Sequence, residues 1–588
     1  MILSLFGLIL LAIPFLLVFR FINRYFGFAF MLGTSIALHS AIAFFTQFFH
    51  VFNYSLLITL YSVISLIILY VSVFKSNKIS FKIKPSLLVL AAFIIIIFQF
   101  WSVHSFYTGA ISNFNGHEDV YQSAYPYPYY SDEWIGVAYS NYIIDNNTLP
   151  TANPLIDISD NNFPNIFLFF FSLIAELFLI LNITPLIGYS LFSMAAWVLV
   201  CLLVFVILRT HKVSLWSSSL AILIIPYIAN GANLPGVWYL LPCVGGLILF
   251  LISLIGLLNN KTWFAVFMAF LSLLLYPPII AFTLPTIFVY ILATKEIKNK
   301  NKIKLFLFSL LGVFLAAVSV FLSQINNKDY LIDTLVNGVI RVSLDNGIPS
   351  FEIWNIIPII IMPFIVLGVI KLFKTKNFII LIPLVTGLLF WFFYTFSFLY
   401  FIIDYARVVI ITSIFLIISL GFGFDYNFNY LLNKYNFDNK KILLLLKIVV
   451  ISFFIFSSFF YTNNLRWKEL KLNINYSGTN FLIAPNPPAN HYLKNEDISL
   501  FGDFSKERFI SPPWKGLVIG VATNNYPMDS KNSIISNTFL NYNEFIEKNC
   551  EGKVLDMNWL SIKYVYSEKF SCDNFLLIGE SEGGVVLI

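Results

Sequence analysis

Long apolar runs separated by short polar joints set the pattern of this chain. Stretches such as 87–103 (LLVLAAFIIIIFQFWSV) and 443–460 (LLLLKIVVISFFIFSSFF) have the length of a bilayer core, about 20 apolar residues per helix. The pattern predicts spans near 2–19, 27–48, 54–74, 87–106, 186–208, 214–231, 236–258, 263–276, 278–293, 305–325, 355–373, 378–400, 403–422 and 443–461. Lys/Arg clusters fall in the joints at Arg20/Arg24, 75–84, 209–212, 295–304, 371–376 and 434–441, and the positive-inside rule assigns all of them to the cytoplasm. Arg20 and Arg24 follow the first apolar run instead of preceding it, which is the reverse of a signal peptide, so 1–19 reads as a first span with its N-terminus outside.

One apolar stretch, 163–182 (FPNIFLFFFSLIAELFLILN), breaks this alternation. If it crossed, the cluster at 209–212 and every later basic joint would lie outside. It is therefore expected to lie in the outer interface as a helix carrying Glu176; the alternative is a true span with one misplaced basic loop. Residues 107–162 then form a long external loop and 326–353 a second one. After about residue 462 the chain turns polar, with short strand-like runs at 516–522 (GLVIGVA) and 575–579 (FLLIG). The expected architecture is a polytopic α-helical membrane protein of about 14 spans with a small mixed α/β external C-terminal domain. Its parts are N-terminal helices in 1–86, a transmembrane core in 87–461 and the domain in 462–588.

Composition agrees: of 588 residues, 59% are hydrophobic, 18% aromatic and only 11% charged, with mean hydropathy +0.82. A soluble domain of that balance would expose large apolar patches. The net charge of +6 sits mainly in short joints, so it reports topology and not a nucleic-acid partner. Cys201 and Cys243 lie in apolar spans as small hydrophobes. Cys550 and Cys572 lie in the external domain, where a disulfide is permitted and is favoured over two free thiols. Heavy use of Lys, Asn, Ile and Phe fits an AT-rich prokaryotic genome and hence a plasma membrane. No Gly-rich phosphate loop ending in Lys-Ser/Thr occurs, so there is no sign of an ATP-driven transporter.

Chemistry gathers in the first long loop, at 127–155 (YPYYSDEWIGVAYSNYIIDNNTLPTANPL). Ser131 can cap a helix whose first turn holds Asp132 and Glu133, where the dipole favours negative charge by about 0.3–1 kcal/mol each. Ile135, Ala138, Tyr139 and Tyr142 then mark an apolar face, and the helix should end near Asp145–Asn147. Capping alone would account for the carboxylates. The loop, however, is too long to be a mere connector and too aromatic to be disordered. His117, Glu118 and Asp119 have a metal-like composition, but consecutive residues rarely face one ion, and a solvated turn is favoured. His104 reads as a packed interfacial histidine, and the tyrosines of 121–130 as an interfacial belt. Asp329, Asp333, Asp345 and Glu352 could supply a second acidic group, with no spacing to choose among them.

The series Tyr130-x-Asp132-Glu133-x(4)-Ala138, continuing to Leu149-Pro150 and Asn153-Pro154, resembles the first external loop of GT-C superfamily glycosyltransferases of the mannosyl/aminoarabinose transferase type. In that family a span leads into a loop with an acidic pair, then juxtamembrane helices, then further spans. Span 87–106, the loop, 163–182 and 186–208 follow that order, and the likeness covers about 87–461. The three N-terminal spans have no place in the family's common core. The resemblance implies transfer of a sugar from a polyprenyl-phosphate donor to a lipid, glycan or protein acceptor at the outer face. Asp132 would be the catalytic carboxylate, with Glu133 and Tyr130 in support. A carboxylate at the water–membrane boundary suits a base, because partial desolvation raises its proton affinity. The helix dipole acts in the opposite sense, so Asp132 could instead orient the acceptor or bind a divalent metal, the one cofactor the resemblance leaves open. The family commonly carries an arginine for the lipid phosphate, a role that falls to Arg407, with Arg341 as a weaker competitor. Arg407 could equally snorkel, or pair with Asp404 on its own helix.

Two other classes compete. A transporter or flippase for lipid-linked glycans would place charges and broken helices along a mid-membrane path. Candidate breaks occur at Tyr276-Pro277-Pro278 and Asn230–Pro235, but the spans are almost free of charge. A surface-glycan polymerase or ligase would carry its large loop later in the chain, richer in Arg and His. The external domain lacks a Trp-Trp-Asp motif, which argues against an oligosaccharyltransferase catalytic subunit; Pro512-Pro513-Trp514-Lys515-Gly516 is no substitute.

Overall fold

A computed structural model describes residues 7, 24–74, 86–113, 116–128, 131–151, 153–155, 165, 167–227, 239–294, 298–322, 340–342, 361–396, 399–401, 403, 405–435, 492–501, 504–530, 540–568, 570–581 and 584–587. The apolar runs become helices at almost the expected places. Helices α1 (Arg24–Phe48), α2 (Tyr54–Phe74) and α3 (Leu87–Ser105) come first. A hairpin follows, β1 (Phe106–Asn113) with β2 (Gly116–Ala124), and then α4 (Ser131–Asn146) and α5 (Leu168–Leu181). The bundle continues through α6 (Pro185–Thr210), α7 (Leu215–Ile224), α8 (Pro242–Leu258), α9 (Thr262–Leu275), α10 (Ile280–Ala293) and α11 (Asn299–Leu322). After the short strand β3 (Ile340–Val342) come α12 (Met362–Lys374) and α13 (Phe378–Phe396). Strand β4 (Leu399–Phe401) then pairs with β3 and leads to α14 (Tyr405–Tyr435).

Three helices are long and apolar enough to cross a membrane among the described residues: Phe26–Phe48, Pro185–Thr210 and Tyr405–Tyr426. The expected spans at 2–19 (Gly7 apart) and 443–461 lie outside the described residues. The Tyr276-Pro277-Pro278 break is a 3-10 turn over Pro277–Ile279 joining α9 to α10, a joint between helices and not a break within one; Asn230–Pro235 lies outside the described residues. Helices α12 and α14 touch backbone to backbone: a Cβ on Gly368 would strike the Ser419 carbonyl, and one on Gly423 the Phe364 carbonyl.

Helix α5 has 14 residues, about 21 Å, short of a hydrocarbon core of about 30 Å. It is enclosed by α1, α2, α4 and α9. Glu176, wholly buried on it, accepts a hydrogen bond from the Tyr61 hydroxyl, and its Oε2 lies 3.3 Å from His39 Nδ1. The Tyr61 hydroxyl also lies 2.7 Å from His39 Nδ1, with the two rings stacked. Gln47 Nε2 donates to the Ser172 carbonyl at 3.1 Å. These bonds tie α1 and α2 to α5. Removing one partner of such a buried set is costly, about 3–5 kcal/mol, whereas an all-apolar replacement is often neutral. Thermal unfolding should therefore show Glu176→Leu well below wild type, and Glu176→Leu/His39→Leu/Tyr61→Phe recovering much of the loss.

The C-terminal unit is mixed α/β. It contains α15 (Asn495–Phe501), β5 (Arg508–Ile510), α16 (Pro513–Thr523), β6 (Tyr526–Pro527), α17 (Tyr542–Glu547), α18 (Cys550–Leu560), β7 (Ile562–Ser567), β8 (Leu577–Ser581) and β9 (Gly584–Leu587). The strands form one sheet in the order β6-β5-β7-β9-β8, parallel on one side of β7 and antiparallel on the other. Run 516–522, expected as a strand, is the body of α16. A short apolar run cannot distinguish a buried helix from a strand. Pro513 at the helix start settles it, together with Gly516 and Gly520, which lie against Asp529 and Pro527. Run 575–579 does contribute to a strand, β8. Cys550 and Cys572 are joined, with Cα atoms 5.7 Å apart, and Cys201 and Cys243 are buried outside any disulfide. A loop of that size closed by a disulfide is worth about 3 kcal/mol.

Candidate functional site

Helix α4 covers Ser131–Asn146, with both carboxylates in its first turn. The expected one-sided apolar face is corrected: Ser131 and every residue from Glu133 to Ser140 are buried. Helices α5, α6 and α16 pack around it, and Tyr139 stacks on Phe171 with ring centroids 4.5 Å apart.

The two carboxylates part company. Asp132 keeps 31% of its side chain exposed, and its Oδ2 accepts a hydrogen bond from Arg407 Nη2 at 2.8 Å. Arg407 is the third residue of α14, so the pair joins the first turns of two helices whose N-termini meet here. A cation in a first turn is disfavoured by the helix dipole, and Asp132 offsets that cost. Two positive helix ends and a guanidinium together make an anion-favouring spot.

Glu133 turns inward and is 1% exposed. Its Oε1 accepts from Ser193 Oγ at 2.6 Å and from the Leu240 amide at 3.1 Å. Tyr189, Ser193 and Trp197 recur every fourth residue on α6 and form a polar stripe facing residues 239–240. Tyr189 donates to the Leu240 carbonyl at 3.0 Å and Trp197 Nε1 to the Tyr239 carbonyl at 2.8 Å. A Cβ on Gly136 would strike the Tyr189 hydroxyl, so glycine allows α4 this close to α6. Glu133→Leu would remove an acceptor shared by Ser193 Oγ and the Leu240 amide; Ser193 keeps the Tyr189 carbonyl at 3.0 Å and the amide keeps Ser193 Oγ at 3.2 Å, so the loss should be about 0.5–1.5 kcal/mol. Thermal unfolding should show that loss, and a smaller one for Glu133→Gln, which keeps an acceptor.

The remaining expectations scatter. Tyr130 and Asp404 lie outside the described residues. Arg341 lies on β3, paired in register with Tyr400 on the approach to α14; its side chain is outside the described residues. His117, Glu118 and Asp119 lie in strand β2 and not in a turn, as Gly116–Ala124 zips onto β1. Among the described residues no group of three or more His, Cys, Asp or Glu converges. His104 is buried at the end of α3. Of the tyrosine belt, Tyr125 is instead buried and stacks on Tyr492, and Tyr127 donates to Asn495 Oδ1 at 2.7 Å, because the C-terminal unit docks there. The α6 stripe was not anticipated; its only trace in the sequence is the four-residue spacing Tyr189–Ser193–Trp197.

No protein-family model and no curated protein matches the chain. Among solved structures, the oligosaccharyltransferase of Archaeoglobus fulgidus aligns in its apo form at 12% identity and TM-score 0.45, covering 82% of this chain and 69% of that one. The same enzyme tethered to an acceptor peptide aligns at 11% and 0.44, with the same coverage. Its complex with an inhibitory peptide and a dolichol-phosphate aligns at 12% and 0.43. At these identities and TM-scores the likeness carries no argument about what this chain does.

Proposed function

We propose that the chain is a GT-C-type membrane glycosyltransferase that moves a sugar from a polyprenyl-phosphate donor to a lipid, glycan or protein acceptor at the outer face of a prokaryotic plasma membrane. The observation that carries this reading is the meeting of Asp132 and Arg407, 275 residues apart in sequence, at two converging helix N-termini. Base and phosphate clamp are the two groups such a transfer requires. The acceptor hydroxyl or amide attacks the anomeric carbon and gives its proton to Asp132. The bond from that carbon to the phosphate oxygen breaks, and the phosphate leaves with the electron pair. Arg407 and the helix ends balance the charge that develops. Glu133 acts as a positioning residue, fixing the turn that carries Asp132.

One observation favours the flippase rival: Glu176 and His39 lie buried among apolar helices, as pathway residues would. They satisfy each other and Tyr61, which suits a structural node better than a path. The deciding experiment incubates membranes containing the protein with a panel of labelled polyprenyl-phosphate sugars and follows label leaving the lipid. Release is the expected result. Absence of release with every donor, together with lipid translocation in vesicles, would replace this reading with the flippase.

A further inference from the structure

The C-terminal unit holds a lysine–carboxylate pair as deeply enclosed as any in an apolar core. Lys515, 3% exposed in the first turn of α16, pairs through Nζ with Asp497, which is fully buried on α15. The same Nζ donates to the Tyr492 carbonyl at 3.1 Å. Asp497 in turn accepts from the Tyr566 hydroxyl at 2.9 Å and from the Lys494 amide at 3.1 Å. Burying a lysine is unfavourable unless it is paired and hydrogen-bonded; here Nζ pairs with Asp497 and donates to the Tyr492 carbonyl, which ties α16 to the short segment 492–494.

That segment packs against Ser123 and Tyr125, on the stretch that leads into α4. The Tyr492 ring stacks on Tyr125 at 4.3 Å, and the Tyr492 hydroxyl lies 3.1 Å from Ser123 Oγ. The Tyr125 hydroxyl accepts from the Leu493 amide at 3.0 Å and donates to the Pro128 carbonyl at 3.3 Å. Pro128 lies three residues before α4 begins. Helix α16, which carries Lys515, packs directly against α4. Contacts therefore run from Lys515 through Tyr492 and Tyr125 to the Pro128 carbonyl, just ahead of the helix that carries Asp132.

We propose that Lys515 is a positioning residue: with Asp497 it clamps the 492–494 segment onto Tyr125 and so sets the direction in which Asp132 meets Arg407. The kinetic part of this proposal rests on the glycosyltransferase reading; the structural part does not. The test uses the full-length protein in detergent or nanodiscs with two variants, Lys515→Met and Tyr125→Phe. The second keeps the stacked ring and leaves the Lys515–Asp497 pair intact while removing both hydroxyl bonds. Amide hydrogen exchange over residues 131–135 should rise about tenfold in each variant, with residues 172–180 of α5 unchanged. Sugar release should lose roughly 10- to 100-fold in kcat with donor KM no higher than in the wild type, the signature of a displaced reacting group. Unchanged exchange over 131–135 in Tyr125→Phe overturns the clamp, as does faster exchange with kcat intact. If Lys515→Met does not fold, Tyr125→Phe decides alone. If the wild type releases no sugar, the glycosyltransferase reading fails and the exchange measurement still settles whether the clamp exists.

Discussion

Asp132→Asn is expected to slow sugar release by about 10²–10⁴-fold, the usual contribution of a positioned general base. Asparagine is nearly isosteric, and its carbonyl oxygen can still accept from Arg407 Nη2, so the meeting of the two helix ends should survive. Only the capacity to take a proton is removed. The residue lies in the first turn of α4, where loss of a charge costs about 0.3–1 kcal/mol, too little to unfold a helix enclosed by α5, α6 and α16. A large loss of rate at equal protein level and equal melting temperature therefore reports chemistry. Asp132→Glu should recover part of the rate, since it restores a base one methylene too far out. Equal release from wild type and Asp132→Asn would remove Asp132 from the essential role.

The sequence shows what local periodicity can encode. The start and end of α4 follow from an acidic first turn and a 3.6-residue apolar repeat, and the observed Ser131–Asn146 lies within a residue of the expected limits. The apolar runs announce α1–α3 and α6 in the same way, because hydrophobic length needs no knowledge of neighbours. What packs against α4 was not legible. Part of its burial comes from α16, more than 350 residues later, a helix whose apolar run alone predicts a strand. Arg407 was visible as an expensive interfacial cation, yet the only partner within sequence reach was Asp404. Nothing in residue spacing announces an ion pair spanning 275 residues. The Glu176–His39–Tyr61 node was hidden for the same reason: its members lie on three separate helices, each almost free of charge.

Arg407→Met is expected to weaken donor binding by roughly 10- to 100-fold, the worth of a charge-assisted hydrogen bond of about 1.5–3 kcal/mol. Arg407→Lys should fall between, since it keeps the charge and loses the planar fork. The Asp132 pair adds a sharper expectation. In the resting site Asp132 already occupies the guanidinium, so an incoming phosphate has to compete with it. Removing the competing charge should let phosphate bind better, so Asp132→Asn ought to bind labelled polyprenyl phosphate more tightly than wild type while turning over far more slowly. A variant that merely damaged the site would lose both. The same competition ties base activation to donor binding: the carboxylate is released only when phosphate takes Arg407, which makes donor-first ordered kinetics the expected scheme. Equilibrium binding to wild type, Asp132→Asn, Arg407→Met and the double variant checks this. Opposite signs for the two single variants support exchange of Arg407 between carboxylate and phosphate. Weaker binding in both would make the pair a fixed brace, and the phosphate would then have to be held by a cation other than Arg407.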